Sequence, residues 1–218
     1  MILKRIILNC GEGDPTNCYI VADEKSKEAF IIDPGGEPEK VIDMISILKV
    51  NVKYIILTHC HGDHIAGVRE VKDKVGGKIL IHRMDAEGLC NENLSLTYYI
   101  GLQNPDMEPD SILDDDDKIH LGDIEFDILH TPGHTKGGIC IYCPEQKMIF
   151  TGDTLFRGTW GNVPLTNLKR TRSFEDIIHS ITNRIMVLPE DTIIYPGHGK
   201  STIVKEEERI YLDLKARE

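Results

Sequence analysis

The sequence has 218 residues, of which 40% are hydrophobic and 28% charged, so it can bury a large core within one domain. A formal net charge of −11 makes nucleic acid a poor expected partner. No run approaches the ~20 apolar residues that span a bilayer, and the N-terminal apolar stretch is too short for a signal peptide. The six cysteines lack a dense framework spacing, so we expect reduced thiols and a cytoplasmic protein without a membrane partner.

Strand-like and helix-like patterns alternate along the chain, and no linker composition divides it. Each half contains a β-rich block followed by helices, which predicts two similar halves within a single domain over residues 1–218. In chain order the predicted strands are Ile2–Leu8, Cys18–Val21, Ala29–Ile32, Tyr54–Leu57, Lys78–Ile81, Lys118–Leu121, Ile124–Leu129, Ile139–Cys143, Met148–Phe150 and Thr192–Tyr195, and the predicted helices are Glu37–Lys49, Ile65–Val75, Asp85–Leu89, Ser173–Leu188 and a charged C-terminal helix.

The segment Thr58–His64 carries the strongest chemical pattern of the sequence. It contains three of the nine histidines and follows an apolar strand directly. Residues two apart in an extended segment face the same way, so His59 and His61 are expected to present their imidazoles to one side. Asp63 and His64 follow where the chain turns into a helix. Imidazole and carboxylate ligands together suit zinc, iron or manganese, so the segment predicts a metal site.

Three further ligand-type residues stand where predicted strands end. These are His134, Asp153 and His198, and each directly follows a glycine, which lets the backbone turn sharply close to a ligand. Strand ends that deliver histidine or aspartate to one sheet edge can converge on a single centre. Together with the first cluster they supply seven ligands, which is enough for two metal ions.

Other cysteines and charged runs are predicted to have structural or surface roles. Cys60 is interpreted as a buried thiol that faces away from the metals. Cys140 and Cys143 form a C-x-x-C pattern, but they lie within a strand rather than at a helix start, so redox chemistry is not expected. The acidic run Asp114–Asp117 lacks the spacing of a calcium loop, and the basic run Lys169–Arg172 is interpreted as a solvated loop.

With these residues in view, the chain resembles the metallo-β-lactamase superfamily over nearly its whole length. The signature H-x-H-x-D-H corresponds to residues His59–His64, and the distant His134, Asp153 and His198 follow in the family's order. Asp33-Pro34-Gly35 stands where the family commonly has an aspartate-containing turn. The resemblance implies an α/β fold, the αββα four-layer sandwich, with two sheets inside, helices outside and a site at the shared sheet edge.

Within the superfamily the chain is most similar to the glyoxalase II-like, or hydroxyacylglutathione hydrolase-like, branch. The phrases Thr131–Thr135 (TPGHT) and Phe150–Phe156 (FTGDTLF) are typical of it. The implied cofactors are two divalent metal ions, with zinc as the first candidate and iron or manganese as alternatives. By this resemblance, one metal would be bound by His59, His61 and His134, the other by Asp63, His64 and His198, and Asp153 would bridge them.

The resemblance also implies a chemistry and a substrate class. Two divalent ions ~3.5–4 Å apart hold a water molecule as hydroxide, which attacks the carbonyl of a small-molecule thioester or ester. A thiolate leaves with little acid assistance, and a metal stabilises the oxyanion. Asp63 is the predicted catalytic residue, because it can also orient the nucleophile. A homo-oligomer is compatible with this interpretation.

Two departures from the branch argue against S-lactoylglutathione as the substrate. Full glyoxalase II enzymes carry a C-terminal helical domain that helps hold glutathione, whereas 20 residues follow His198 here. The branch also often has a basic residue where Asn162 follows Gly161 in this chain. We therefore expect a smaller or different thioester, with Arg157 or Lys169 as candidates for the missing cation.

Two alternatives remain open from the sequence. A persulfide dioxygenase of the same superfamily would use one iron held by two histidines and one aspartate, and it retains the remaining ligand residues as well. A non-catalytic metal-binding protein would bind metal without turning over any ester or thioester. Metal content, oxygen uptake and thioesterase activity distinguish the three.

Overall fold

A computed structural model describes residues 1–163 and 172–208 of the chain. Within these residues, two mixed six-stranded sheets form the interior and helices flank them. The first sheet holds, in spatial order, β1 (Ile2–Leu8), β2 (Thr16–Ala22), β3 (Glu28–Ile32), β4 (Asn51–Leu57), β5 (Lys78–His82) and β6 (Ser111–Leu113). Strands β1 to β3 pair antiparallel, whereas β3 to β6 pair parallel.

The second sheet is built from the later part of the chain. Its strands are β7 (Lys118–Leu121), β8 (Ile124–His130), β9 (Ile139–Cys143), β10 (Met148–Gly152) and, after a separate hairpin of β11 (Leu155–Phe156) and β12 (Thr159–Trp160), β13 (Ile193–Pro196) and β14 (Thr202–Ile203). The spatial order is β14-β13-β10-β9-β8-β7. Only β10 and β13 pair parallel within this sheet as described.

The helices are short and lie outside the sheets. They are α1 (Pro38–Leu48), α2 (Gly62–Ile65), α3 (Val68–Val75), α4 (Glu92–Ser95) and α5 (Arg172–Ser180), with 3₁₀ turns at Ala86–Leu89 and Thr97–Ile100, a π turn at Ile181–Ile185 and a helical segment at 204–208. No helix among the described residues is long and apolar enough to cross a membrane.

Three apolar clusters separate four layers. Val41 of α1 and Val68 of α3 pack with Ile55 on the outer face of the first sheet. Between the sheets, Phe30 meets Phe126 with ring centroids 4.8 Å apart. A third cluster lies on the outer face of the second sheet and includes residues of α5 and the π turn that follows it. The alternation of side chains along each strand thus gives both sheets two apolar faces, and the predicted αββα sandwich is confirmed.

The predicted continuous helix Ile65–Val75 is wrong. The structure has two helices there, α2 and α3, which are separated around Gly67. A Cβ atom at Gly67 would lie 2.6 Å from the carbonyl oxygen of Pro34, so the backbone passes too close to the Asp33–Gly36 turn for a side chain. The break leaves α2 as a single turn that carries Asp63 and His64 independently of α3.

Several other boundaries also differ from the prediction. The predicted helix Asp85–Leu89 is a 3₁₀ turn, and the predicted helix Ser173–Leu188 begins at Arg172 and changes to a π turn at Ile181. Two stretches for which no element was predicted, residues 90–117 and 151–172, contain short elements, including β6 in the first and the β11–β12 hairpin in the second. The candidate cation Lys169 and most of the predicted C-terminal helix lie outside the described residues.

Candidate metal centre

All seven predicted ligands lie at one end of the sandwich, in the segments that follow strands of both sheets. Four of them follow β4, and the other three follow β8, β10 and β13. Their ligand atoms form three overlapping groups, within each of which the atoms lie within 4.8 Å of one another. We call His59, His61 and His134 the first group and Asp63, His64 and His198 the second group. A third set, His59, His64 and Asp153, overlaps both.

Close backbone contacts bring the segments from the two sheets together. The amide of Ile139 donates to the carbonyl of Thr58 at 2.9 Å, and the amide of Asn17 in β2 donates to the carbonyl of Gly197 at 2.7 Å. A Cβ atom at Gly197 would overlap Asp153 Oδ1 and approach the ring of His64. Glycine is therefore required where the β13 segment passes the centre.

In the first group, neighbouring residues fix the orientation of two imidazoles. His59 Nδ1 lies 3.1 Å from Thr58 Oγ1, and His134 Nδ1 lies 2.6 Å from the carbonyl oxygen of Asn162. A carbonyl only accepts, so His134 donates from Nδ1 and keeps the lone pair of Nε2. That Nε2 lies 2.8 Å from His61 Nδ1, which leaves both nitrogens facing one point.

In the second group too, each histidine has its Nδ1 beside an acceptor outside the group. His64 Nδ1 lies 3.0 Å from Asp33 Oδ2, and His198 Nδ1 lies 3.0 Å from the carbonyl oxygen of Pro15. The two Nε2 atoms are 3.3 Å apart. Asp63 Oδ2 lies 3.4 Å from His64 Nε2 and 3.2 Å from His198 Nε2, so three donor atoms surround one position.

The Asp153 carboxylate lies between the two groups. Its Oδ1 is 3.3 Å from His64 Nε2, and its Oδ2 is 3.4 Å from both His134 Nε2 and His198 Nε2. One carboxylate therefore faces histidines of both groups, which is the arrangement of a bridging ligand.

Two buried ligand atoms without hydrogen bonds indicate that these residues fit metal ions. His59 Nε2 and Asp153 Oδ1 are inaccessible and have no hydrogen-bond partner. Leaving such atoms unpaired costs about 1–3 kcal/mol each, and divalent cations would satisfy both. One set of three imidazoles, a second set of one carboxylate and two imidazoles, and a shared carboxylate suit a binuclear site. The donor types are compatible with zinc, iron or manganese and do not select among them.

The two groups differ in charge. Burial, followed by the neighbouring histidines, lowers the pKa of His61 to about 4, and burial holds the pKa of His59 well below its usual range. Burial opposes charging of His198 too, but the Asp153 and Asp63 carboxylates outweigh it and raise its pKa to about 10. His59 and His61 are thus neutral at cellular pH. In the second group the carboxylates favour positive charge, which a metal ion supplies when it displaces the proton.

Asp33 orients ligands of both groups, a role that the sequence pattern did not reveal. It is buried and has a φ of 53°, a left-handed conformation that aspartate tolerates better than most residues. Its Oδ1 accepts the Thr58 amide at 2.8 Å, and its Oδ2 accepts the Thr58 hydroxyl at 2.7 Å as well as His64 Nδ1. The sequence predicted a turn at this position but not these contacts.

Asp85 was missed altogether by the sequence interpretation. This buried carboxylate accepts the amide of Cys60 at 3.1 Å and the amide of Gly137 at 2.6 Å. It therefore links the segment that carries His59 and His61 to the segment that follows His134. One feature could have revealed it: Asp85 follows the end of β5 closely, at the same sheet edge as the ligands.

The cysteines and the acidic run lie apart from the ligand groups or in structural contacts. Cys60 is buried, and its Sγ lies 3.8 Å from the carbonyl oxygen of Leu94, away from the ligand groups as expected. Cys140 and Cys143 belong to clusters on opposite faces of β9 and do not form a joint site. In the acidic run, Asp115 accepts from both Nη atoms of Arg184 at 2.7 Å, so this part of the turn is ion-paired rather than simply solvated.

The fold and the paired His/Asp groups together are those of a metallo-hydrolase. The chain belongs to the metallo-beta-lactamase superfamily, whose family model matches residues 11–198.

Individual relatives agree with this assignment. The chain is 37% identical over 195 residues to hydroxyacylglutathione hydrolase GloC of Haemophilus influenzae, a match that covers 88% of this chain and 90% of the relative. Among solved structures, BLEG-1 B3 metallo-beta-lactamase is 30% identical with a TM-score of 0.86, covering 95% of this chain and 97% of that one. The di-iron-bound form of TTHA1623 is 28% identical with a TM-score of 0.81, covering 95% and 98%.

Proposed function

We propose that the protein is a binuclear metallo-hydrolase that cleaves small-molecule thioesters. The observation that carries the proposal is the shared Asp153 carboxylate, which faces two groups of donor atoms and leaves Oδ1 without a hydrogen bond. Thioester specificity is supported by the 37% identity to a protein named hydroxyacylglutathione hydrolase.

The ligand residues would divide between two ions. His59, His61 and His134 would hold one, Asp63, His64 and His198 the other, with Asp153 facing both. When bound, two divalent ions would lower the pKa of a water molecule and polarise a carbonyl oxygen.

Asp63 is the residue best placed to act on the nucleophile. Its side chain is 19% exposed, whereas that of His64 is fully buried, so Asp63 reaches the open face of the centre. Thr16 donates its hydroxyl to Asp63 Oδ2 at 3.3 Å and fixes the carboxylate. Burial would raise the pKa of Asp63, but the charge of His64 and the hydrogen bond from His198 lower it well below its usual range. Asp63 is therefore an acceptor that can orient the attacking water molecule.

Cleavage of a thioester does not require a general acid, because of its leaving group. A thiol has a pKa of about 8.5, so it departs as a thiolate without being protonated first. An alcohol or amine would need a proton, and the two histidines of the centre whose pKa the neighbouring carboxylates raise, His64 and His198, are themselves ligands in this scheme. Thioesters are thus the acyl compounds that these residues can cleave with the least assistance.

A substrate panel on metal-loaded protein tests the proposal. The panel contains S-acyl thioesters, a matched oxygen ester and a β-lactam, the last because one structural relative is named a metallo-beta-lactamase. We expect two metal ions per chain and fastest cleavage of the thioesters. One iron per chain with oxygen uptake on glutathione persulfide would overturn the proposal in favour of a dioxygenase, and bound metal without turnover would overturn it in favour of a binding protein.

A further inference from the structure

A cavity of about 710 Å³ opens beside His198, and its walls come from β1, the segment before β2, β11 and the turn after β13. We call it the cationic groove because its lining includes Arg5, Arg157 and Lys200. The ring of Phe156 lies edge-on to the His198 imidazole with centroids 5.7 Å apart, so the groove begins at the metal centre.

The charge of the groove is opposite to that of the whole protein. The chain has a formal net charge of −11, yet the groove contains three cationic side chains and one acidic one, Asp14. Arg157 lies 3.7 Å from Glu206, which offsets part of its charge. Neither Arg5 nor Lys200 forms an ion pair within residues 1–163 and 172–208. Two uncompensated cations therefore face this cavity.

The position of one of these cations is fixed relative to the metal centre. Arg5 Nη1 donates to the carbonyl oxygen of Gly199 at 3.0 Å, and Asn17 Nδ2 donates to the same oxygen at 3.0 Å. Both donors thus hold the turn that carries His198 and Lys200. Arg5 keeps other N–H donors for a ligand, because a guanidinium has five.

Ile7 and Phe156 add apolar surface to the same cavity. Apolar walls with a few cations suit a carboxylate carried on a short aliphatic chain, since arginine and lysine bind carboxylates through charge-assisted hydrogen bonds. A neutral ligand would gain only the apolar contacts.

We propose that the cationic groove binds a carboxylate of the substrate through Arg5 and Lys200, so that the enzyme selects anionic over neutral thioesters. The selection rests on the proposed thioesterase function, whereas the carboxylate site itself does not. The carboxylate can belong to the acyl part or to the thiol part of the thioester, and the two are separated by the choice of substrates.

Kinetics on matched substrates test the selection. The anionic substrates are S-acetylthioglycolate and S-succinyl-N-acetylcysteamine, and S-acetyl-N-acetylcysteamine is their neutral counterpart. We expect Arg5→Gln and Lys200→Gln each to raise KM about 10-fold for one of the anionic substrates, as the loss of one charge-assisted hydrogen bond predicts, and to change KM for the neutral substrate less than about twofold. The substrate that responds identifies the part that carries the carboxylate.

Lys4→Gln is the matched control. Lys4 precedes Arg5 in β1, is exposed and does not line the groove, and its side chain points to the other face of the strand. The same loss of charge there should leave KM for every substrate unchanged. Lys200→Gln breaks no described side-chain hydrogen bond, so it keeps the test valid even where Arg5→Gln disturbs the Gly199 turn.

Calorimetric titration of glutarate into metal-depleted protein separates this inference from the proposed function. We expect binding that Arg5→Gln weakens about 10-fold and Lys4→Gln leaves unchanged. Glutarate binding of this kind without any thioester cleavage would refute the proposed function and retain the carboxylate site. Thioester cleavage with equal KM for anionic and neutral substrates in wild type and variants, or no binding of glutarate, would overturn the inference.

Discussion

The two sheets contribute to the metal centre in different ways. The first sheet supplies four of the seven predicted ligands from one short segment after β4, whereas the second supplies three from the ends of separate strands. The supports differ as well. Carboxylates of Asp33 and Asp85 hold the segment after β4, but backbone carbonyls of Asn162 and Pro15 hold His134 and His198.

This difference predicts which parts of the centre are sensitive to side-chain substitutions. A carboxylate support disappears when its side chain is replaced, while a carbonyl support remains whatever residue carries it. The ligands of the first sheet should therefore be sensitive to residues that bind no metal themselves. The ligands of the second sheet should respond mainly to replacement of the ligand itself.

The largest effect on metal binding and activity is expected from replacing Asp153, which lies between the two groups. Asp153→Ala removes the one carboxylate that faces both groups, so we expect loss of metal from the second group and a fall in kcat/KM beyond the roughly 10–100-fold cost of losing an outer support. Metal content per chain and kcat/KM on a thioester measure this. Asp123→Asn, an exposed acid in the turn before β8, at the opposite end of that strand from His134, is the control. Wild-type metal content in Asp153→Ala would show that Asp153 is not a shared ligand.

Asp33→Ala should have the next largest effect. It leaves the Thr58 amide, the Thr58 hydroxyl and His64 Nδ1 without their acceptor, at a cost of about 1–3 kcal/mol for each group that stays buried and unpaired. We expect a lower free energy of unfolding of the metal-free protein in urea, together with about 10–100-fold weaker metal binding. Asp33→Asn retains one carbonyl oxygen and should lie between the two. Equal stability of all three proteins would contradict the role assigned to Asp33.

Asp85→Ala should act more selectively. The Asp85 carboxylate accepts from the amide of Cys60, between His59 and His61, and from the amide of Gly137, shortly after His134. Its loss is therefore expected to weaken metal binding by the first group about 10-fold while the second group is retained. Titration of the metal-free protein with cobalt, followed by its visible absorption, resolves the two steps. Weakening of both steps to the same extent would mean that Asp85 stabilises the fold as a whole and not the first group.

Thr58→Val should give the smallest change. The hydroxyl links Asp33 to His59 Nδ1, so its loss leaves the His59 ring less firmly oriented, although the ring stays packed in the site. We expect a decrease in kcat/KM of less than about 10-fold, at the lower end for outer supports. Thr58→Ser keeps the hydroxyl and should restore activity. A Ser variant as impaired as the Val variant would attribute the effect to the lost methyl group instead.

The predictability of the centre from sequence follows the same division between the sheets. Four ligand-type residues within six positions after an apolar strand can be recognised directly, because the period of a strand fixes which side chains share a side. His134, Asp153 and His198 could be predicted because each follows a strand end and a glycine. The fold was predictable to the same extent, since its strands have continuous apolar runs and turn residues between them.

The parts that sequence could not predict depend on contacts between distant segments. Asp85 acts through amides at positions 60 and 137, and any residue can supply an amide, so no pattern marks the pair. The supports from Pro15 and Asn162 are carbonyls and leave no trace in the sequence for the same reason. At the break between α2 and α3, Gly67 passes close to the Pro34 carbonyl, which becomes a neighbour only in the folded chain.

Metal content measured together with thioesterase activity distinguishes a binuclear thioesterase from a mononuclear iron dioxygenase. Protein purified without chelators is analysed by mass spectrometry for metals per chain, and the same sample is assayed on a thioester and for oxygen uptake on glutathione persulfide. We expect two metal ions per chain, thioester cleavage and no oxygen uptake, with cleavage lost on chelation and restored by added metal. A single iron per chain that supports oxygen uptake but not thioester cleavage would contradict the proposed binuclear hydrolase.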